Sequence, residues 1–279
     1  MSLPATAPAP VAAGPPGMTR TRPRLTVRTR RGIVSVLALL LIWHVVAAYI
    51  VRDPLFLAGP VDVAAVFWQD LRSGELLTNL AVSLVEVCLG MAIGISAGIG
   101  LGLLVGASER VRDYADPFIS ASYSAPLIAL APLLVLWLGI GMASKIAVVA
   151  IVVFFPVLIS VASGVRTTSR TLLEVSRSFG AGRMATFRKV HIPANVPPTL
   201  AGIRIGVGHA IAAVVVAELF GAREGIGFAI TQASFSFDTA RIFLGVGILM
   251  FLGITFMEIV RRLERRAAGW AYADGADDD

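Results

Sequence analysis

The sequence has few charged residues and a single cysteine. Asp, Glu, Lys and Arg make up 15% of its 279 residues, against about 25% in an average soluble domain, and they cluster between long apolar runs. An ordinary soluble domain is therefore excluded, and a helical protein that crosses a membrane several times is indicated. Cys88 lies within an apolar run, so an internal disulfide is impossible and CxxC-type metal sites are absent.

Catalytic motifs are missing as well. The sequence contains no GxxxxGK[ST] phosphate-binding loop, so nucleotide hydrolysis is not assigned to this chain. His44, His191 and His209 are far apart and show no HExxH-like spacing. We therefore predict that the chain is not an enzyme and has no catalytic residues, no metal and no cofactor. An integral membrane enzyme would need catalytic residues clustered at one depth.

Basic residues outnumber acidic ones. There are 24 Lys and Arg against 18 Asp and Glu, which gives a net charge of +6 and an isoelectric point near 10.2. In a soluble protein this balance suggests nucleic-acid binding, but membrane proteins hold excess Lys and Arg on their cytoplasmic side. We therefore expect no nucleic acid among the partners.

Long apolar runs dominate the rest of the chain, whose mean hydropathy is +0.80. A helix needs roughly 20 residues to cross a bilayer, and each of six runs is long enough to cross once. These runs are 32–51, 78–106, 118–139, 144–164, 199–220 and 241–261. The sequence therefore predicts an all-α, polytopic membrane protein with six transmembrane helices.

Lys and Arg are distributed unevenly among the connections between these runs. Eighteen fall in the N-terminal tail, the loops 107–117 and 165–195, and the C-terminal tail, whereas four fall in the opposite loops. Those four are Arg52, Arg72, Lys145 and Arg223. Because Lys and Arg are enriched on the cytoplasmic side, we predict that both termini are cytoplasmic.

The chain divides into three parts. Residues 1–31 are rich in Pro, Ala and Gly and then in Arg, which predicts a disordered, basic cytoplasmic tail. Residues 32–266 form the six-helix membrane domain, and residues 267–279 form an acidic cytoplasmic tail. Within the membrane domain, residues 170–193 lie in the loop between the fourth and fifth helices.

Glycine recurs every four residues in the second apolar run, at positions 90, 94, 98, 102 and 106. On a helix these glycines form one smooth stripe, which lets another backbone approach closely. We expect the stripe to pack against a helix of the same chain in preference to a partner chain. Pro126, Pro132 and Pro156 lie inside apolar runs, where each tends to kink its helix.

The segment 174–193, EVSRSFGAGRMATFRKVHIP, is basic and amphipathic between two apolar runs. Leu172, Leu173, Val175 and Phe179 share one helical face, and Gly180 can end this helix in a left-handed conformation. Three interpretations stay open: a solvated loop, a helix lying on the lipid surface, and a docking element. In the docking element, the apolar residues would pack inside and the charges would face a partner's groove.

The same segment resembles the EAA signature of membrane-spanning subunits of ABC-type importers. That signature reads EAA, three residues, Gly, nine residues, Ile, any residue, Leu and Pro. Here the same spacing gives Glu174-Val175-Ser176, Gly180, Val190-His191-Ile192 and Pro193. Glutamate, glycine and proline are retained, whereas Val175 and Ser176 replace the two alanines.

Two other segments resemble permeases of the nitrate/sulfonate/taurine type: APLIALAPLLVLWLGIGMASKI at 125–146, and AELFGAREGIGFAI at 217–230, which fits AE-x-x-G-x-x-x-G-[IL]-G. The resemblance covers roughly residues 78–266. It implies a MetI-like permease fold in a bacterial cytoplasmic (inner) membrane and a pathway for a small solute such as nitrate, a sulfonate, taurine or a related anion. It also implies a second permease copy, two cytoplasmic ABC ATPase subunits and an extracytoplasmic solute-binding protein as partners. The residues implied to couple the chain to the ATPase are Glu174, Gly180, Arg183, Val190, Ile192 and Pro193.

Polar residues inside the apolar runs are candidates for the solute pathway, because they are costly in lipid. Arg204, His209 and Glu218 all belong to the fifth run. The alternatives are that Arg204 lies at the membrane interface, that His209 packs with a hydrogen bond, and that Glu218 braces the glycine-rich loop after it. The alternative function is a secondary transporter or channel that needs no ATPase, which would more often show internal repeats.

Overall fold

The computed structural model describes residues 25–267, and all regular elements within that range are helical. The predicted tails therefore fall largely outside the described residues, although residues 25–31 belong to the first helix. The helices are α1 Leu25–Val45, α2 Pro60–Ser73, α3 Glu75–Ala107, α4 Glu109–Ser124, α5 Ala131–Leu138, α6 Met142–Arg166, α7 Arg170–Ser178, α8 Arg183–Thr186, α9 Ile192–Ala194, α10 Val196–Leu219, α11 Ile226–Phe235 and α12 Thr239–Ala267.

Five stretches are long and apolar enough to cross a membrane. They are Arg30–Val51, which extends α1 through the π-helical turn Val46–Val51, and the helices α3, α6, α10 and α12. A sixth span is present if α4 and Leu127–Leu138 are counted together, but this pair is bent by 86°. The all-α prediction is confirmed, and the predicted third span is a broken one.

The packed centre consists of α3, α6 and α10. The glycine stripe of α3 faces a row of buried valines on α6: Val149, Val153, Val157, Val161 and Val165. A Cβ atom at Gly94 would lie 2.5 Å from the backbone oxygen of Ala150, and one at Gly98 would lie 2.9 Å from that of Phe154. The predicted packing of the stripe against a helix of the same chain is confirmed.

Two helices lie in segments that the sequence assigned to connections. α2 begins with Pro60 in its first turn, where the missing N–H is tolerated, and the Asp62 carboxylate accepts a hydrogen bond of 2.9 Å from the backbone of Gly59. α11 is a ten-residue apolar helix, too short to span a bilayer. Both were missed because their apolar runs are shorter than the length that identifies a span.

The three predicted kink sites differ in outcome. Pro126 lies at the break between α4 and the 3₁₀ turn Leu127–Leu130. Pro132 lies in the first turn of α5, where proline is tolerated, whereas Pro156 lies inside α6. One of the three prolines therefore coincides with an interrupted helix.

Candidate functional site

The connection between α6 and α10 folds as short helices around a glycine turn. α7 ends at Ser178, and Gly180 follows with a φ of +75°, which confirms the predicted left-handed glycine. The Gly180 N–H donates to the Arg177 oxygen at 2.9 Å. Across the turn, the hydroxyls of Ser176 and Thr186 lie 2.9 Å apart and join α7 to α8. The segment is thus an ordered unit.

The six predicted coupling residues all lie on this connection. Glu174, Gly180, Arg183, Ile192 and Pro193 are exposed, and Val190 is half-buried. They are therefore available at the surface of the chain along one continuous segment.

The apolar residues of α7 do not pack inside, as the docking interpretation expected. Phe179 is 87% exposed, Leu172 and Val175 are also exposed, and only Leu173 is half-buried. The expectation is wrong because the neighbours of α7 within the chain are mainly α8 and the turn Phe187–His191, which are too short to cover its apolar face. With Met184, also exposed, these side chains give the segment an apolar outer surface.

The C-terminal end of the segment is bonded to the end of α6. The Asn195 side-chain amide donates to the Val161 oxygen on α6 at 3.1 Å. The Thr168 hydroxyl, after α6, lies 3.2 Å from Nδ1 of His191 and bonds the Gly164 oxygen at 3.3 Å. Burial lowers the pKa of His191 below its ordinary value, because the charged imidazole loses hydration. The end of the segment that continues into α10 is therefore held against the end of α6.

A cavity of about 1030 Å³ lies between this segment and the start of α4. Arg110, Arg177, Arg183 and His191 are among the residues that line it, together with Glu109. The charged residues that line this cavity are thus mainly basic.

Glu218 lies at the C-terminal end of α10 and is hydrogen-bonded to the start of α11. One of its carboxylate oxygens accepts a hydrogen bond from the Ser83 hydroxyl and the other from the Gly227 N–H, both at 2.5 Å. Two further N–H groups bond to α3: Gly225 to Asn79 at 2.9 Å and Ile226 to Ser83 at 2.8 Å. Three donors at a helix start, which lack partners within the helix, are therefore satisfied by buried side chains.

A buried ion pair lies beside this cluster. Lys145 of α6 donates to Glu86 of α3 at 2.9 Å, and both side chains are almost completely buried. The second carboxylate oxygen of Glu86 has no hydrogen-bond partner among the described residues. Lys145, counted above among the loop residues, lies in the first turn of α6, where Glu86 compensates its charge.

The three candidate pathway residues of α10 do not form one cluster. Arg204 pairs with Glu264 of α12, and Glu218 is engaged with α3 and α11. His209 borders a separate cavity of about 400 Å³ at the break after α4. The structure thus assigns a different environment to each residue.

Sequence reasoning missed Asn79, Ser83 and Tyr123. The first two serve the start of α11, and Tyr123 lines the cavity at the break. The available signal was their polarity inside apolar runs 78–106 and 118–139. Nothing in their spacing indicated which residues they would meet.

Residues 90–269 match the family described as binding-protein-dependent transport system inner membrane component. A putative aliphatic sulfonates transport permease of Bacillus subtilis is 34% identical over 86% of this chain and 87% of its own length. The chain belongs to this family. A formylaminopyrimidine transport permease of Halalkalibacterium halodurans is 33% identical over 84% of this permease and 93% of its own length. The Escherichia coli taurine transport permease is 31% identical over 85% and 88%.

Solved structures agree on the fold of this permease. An amino acid ABC transporter chain superposes with a TM-score of 0.59 over 73% of this chain and 97% of its own, at 18% identity. A MetNI methionine ABC transporter chain gives 0.53 over 65% and 92%, also at 18% identity. The chain is therefore a permease of the MetI-like fold in the inner membrane, and ATP hydrolysis belongs to partner ATPase subunits. A transporter that works without an ATPase is not favoured.

Proposed function

We propose that this permease, as one of two copies, forms the pathway of an importer for a small anionic solute of the sulfonate or taurine class. Two cytoplasmic ATPase subunits bind the segment that contains Glu174, Gly180, Arg183, Val190, Ile192 and Pro193, and an extracytoplasmic binding protein delivers the solute. Both termini lie in the cytoplasm. The segment 170–193 then acts as the coupling segment between ATP binding and movement of the membrane helices.

The exposed apolar surface of the coupling segment carries this proposal. Four apolar side chains of the segment are between 47% and 87% exposed: Leu172, Val175, Phe179 and Met184. An exposed apolar patch outside the membrane marks an interaction site. Charged residues such as Glu174 and Arg183 surround these side chains. A cytoplasmic protein with a complementary groove suits this mixture. Because the end of the segment that continues into α10 is also bonded to the end of α6, a rigid displacement would pass to two spans at once.

The solute class rests on the named relatives and on the charges of the pathway. Two of the three relatives are named for sulfonates or taurine, both of which carry a sulfonate group, and the third is named for a formylaminopyrimidine. Glu218 and Glu86 are buried and bonded within the chain, so neither is an exposed carboxylate that would repel an anion. A small anion is therefore the solute class that we propose.

Docking is tested by charging the apolar surface. Phe179→Asp places a carboxylate at a side chain that is 87% exposed on the coupling segment, and we expect it to abolish co-purification of ATPase activity with the permease. Tyr114→Asp is the matched control, because Tyr114 is 81% exposed on α4, outside the segment. Equal ATPase retention by the two variants would contradict docking at this surface.

Coupling is tested with variants that keep the segment in place but change its turn or charge. Gly180→Pro removes the left-handed conformation, since proline fixes φ near −65°, and Glu174→Arg reverses an exposed charge. Both should insert into the membrane normally and lose ATP-driven uptake in reconstituted vesicles, either with continued ATP hydrolysis or with loss of the ATPase. Normal ATP-driven uptake by both variants would refute the coupling role.

A further inference from the structure

The predicted third span is interrupted along its length. α4 ends at Ser124, Ala125 is extended with a ψ of 146°, and Pro126 contributes no N–H before the 3₁₀ turn at Leu127. The two parts of the span are bent by 86°. Irregular backbone at membrane depth is tolerated where it is buried in protein or lines a water-filled cavity, and interrupted helices line solute sites in many transporters. Residues of this break also line a cavity.

The cavity at the break lies near the middle of the two long helices that border it, α6 and α10. His209 lines it from α10, about 20 Å from the Val196 end and about 15 Å from the Leu219 end at 1.5 Å per residue. Pro156 lines it from α6, about 21 Å from the Met142 end and about 15 Å from the other end on the same measure. The start of α10 and the end of α6 lie on the same side, where Asn195 bonds Val161, so the two spans give depths of about 20 Å and about 15 Å from that side.

The lining combines two hydrogen-bond donors with apolar side chains. Tyr123 offers a phenol and His209 an imidazole, while Leu127, Ile128 and Val152 contribute apolar surface. The cavity of about 400 Å³ has no carboxylate among the described residues that line it, and this volume is within the range of small-molecule sites. Both groups can donate to an oxygen atom, and no carboxylate in this lining would repel an anionic one.

We propose that this cavity is a contact site for the transported solute, in which Tyr123 and His209 donate hydrogen bonds to the oxygen atoms of a small organic anion. The apolar residues of the break and of α6 contact the carbon part of the same solute. The inference rests on the proposed import function and adds the residues and the ligand chemistry to it. Arg204 of the same helix does not serve this role, because Glu264 already pairs with it.

Thiol labelling tests the cavity without requiring transport. In a Cys88→Ala background, the variants His209→Cys and Tyr123→Cys are reconstituted in vesicles and treated with methanethiosulfonate ethylsulfonate, a small sulfonate. Phe251→Cys is the control, since Phe251 is 69% exposed near the middle of α12, away from the cavity. We expect labelling at positions 123 and 209 at least about ten-fold faster than at 251, because the thiolate reacts and forms only where water enters. Millimolar ethanesulfonate should slow the labelling at positions 123 and 209.

Two results would overturn the proposal. One is equal labelling at positions 209 and 251, and the other is faster labelling by the cationic ethyltrimethylammonium analogue than by the sulfonate after each rate is divided by that reagent's rate with a small free thiol. Because neither result depends on an ATPase, they report on the cavity even if the proposed import function fails.

Transport measurements test the donors themselves in the complete complex with its ATPase and binding protein. Tyr123→Phe and His209→Leu should each raise the KM for ethanesulfonate uptake by about ten-fold, since a hydrogen bond to a charged group is lost. His209→Gln keeps a donor, so its KM should stay within about three-fold of the wild-type KM. Tyr114→Phe, outside the cavity, should not change the KM.

Unchanged KM values for both Tyr123→Phe and His209→Leu in a complex with ATP-driven uptake would refute the inference alone. Absence of ATP-driven uptake of ethanesulfonate and taurine by the wild type would refute the proposed function instead.

Discussion

At the scale of single residues, both carboxylate oxygens of Glu218 accept hydrogen bonds from the same chain. The arrangement requires glycine at position 227, because an added Cβ would lie 2.8 Å from a Glu218 oxygen and 2.9 Å from the Val215 oxygen. This accounts for the joint presence of a glutamate and glycines in the segment 217–230. The geometry is that of a brace between α3, α10 and α11, which was the alternative to a pathway role for Glu218.

Gly227→Ala should therefore destabilise the permease, whereas Gly221→Ala should not. At Gly221 the nearest atom to an added Cβ is Val135 Cγ1 at 3.4 Å, which is ordinary contact. Overpacking a filled site costs about 1–3 kcal/mol, so the thermal midpoint of the purified protein should fall for Gly227→Ala alone. Equal midpoints for the two variants would show that the brace tolerates a methyl group.

The buried pair of Lys145 and Glu86 leads to a second prediction at this scale. Lys145→Met leaves a buried carboxylate without its cation, and breaking a buried pair in this way costs about 3–5 kcal/mol. Adding Glu86→Gln to Lys145→Met removes that charge and should recover a large part of the stability. The measurement is a double-mutant cycle of unfolding in detergent, and additive effects of the two substitutions would contradict direct pairing.

The sequence identifies these polar residues but not their partners. Glu86 and Glu218 stand out because each interrupts an apolar run, where an ionisable group needs compensation. Lys145 is 59 positions from Glu86, and Ser83 is 135 positions from Glu218. Such pairings depend on which helices become neighbours in space. Hydrophobic periodicity carries no information about that arrangement.

At the scale of elements, the contact between α3 and α6 depends on the absence of side chains along one face of α3. The five glycines of the stripe were recognisable from their spacing of four residues, and the direction of the stripe into the chain was also predictable. The identity of α6 as the partner helix was not, because several apolar helices offered a suitable face. The valine row on α6 completes the contact.

Substitutions within α3 should distinguish the glycines of the stripe from the other glycines of this helix. Gly98→Ala would place a Cβ 2.9 Å from the Phe154 oxygen and from Val157 Cβ, so we expect a clear loss of stability. Gly100→Ala meets nothing within 4 Å, and alanine is favoured over glycine in a helix interior by about 1 kcal/mol in water. Unfolding of both variants in the same detergent gives the comparison. A loss of stability for Gly100→Ala equal to that for Gly98→Ala would contradict the assignment of the contact face.

The coupling segment should respond to pH through His191. Its pKa is lowered by burial, so the unfolded state binds a proton at a higher pH than the folded state does. Lowering the pH through the ordinary histidine range, near 6.5, therefore favours the unfolded state, and the stabilisation by neutral His191 is lost. We expect the thermal midpoint to fall between pH 7.5 and pH 5.5 by more in the wild type than in His191→Gln. The same pH dependence in both proteins would show that another group is responsible.

At the scale of the whole molecule, the number of spans decides the topology. Length and apolarity were sufficient to predict α3, α6, α10 and α12 as spans, and their boundaries differ from the predicted ones by several residues. The broken span was predicted as a single helix, because an apolar run of this length does not reveal an 86° bend. Pro126 gave a local signal for an interruption but not its angle, which depends on how Leu127–Leu138 packs against α6.

The bent pair also makes the position of the termini testable. If it crosses the bilayer, six crossings bring both termini to the same side, and the uneven distribution of Lys and Arg predicts that this side is the cytoplasm. If it enters and leaves on one side, five crossings separate the termini. We expect protease-sensitive tags at the N-terminus and at the C-terminus of the full chain to be cleaved in inside-out vesicles and protected in spheroplasts. A C-terminal tag cleaved in spheroplasts while the N-terminal tag is protected would require five crossings, and with the N-terminus fixed it would make the pair α4 and Leu127–Leu138 a re-entrant loop. The coupling segment follows that pair, so the same result would place it outside the cell and remove the basis for ATPase docking.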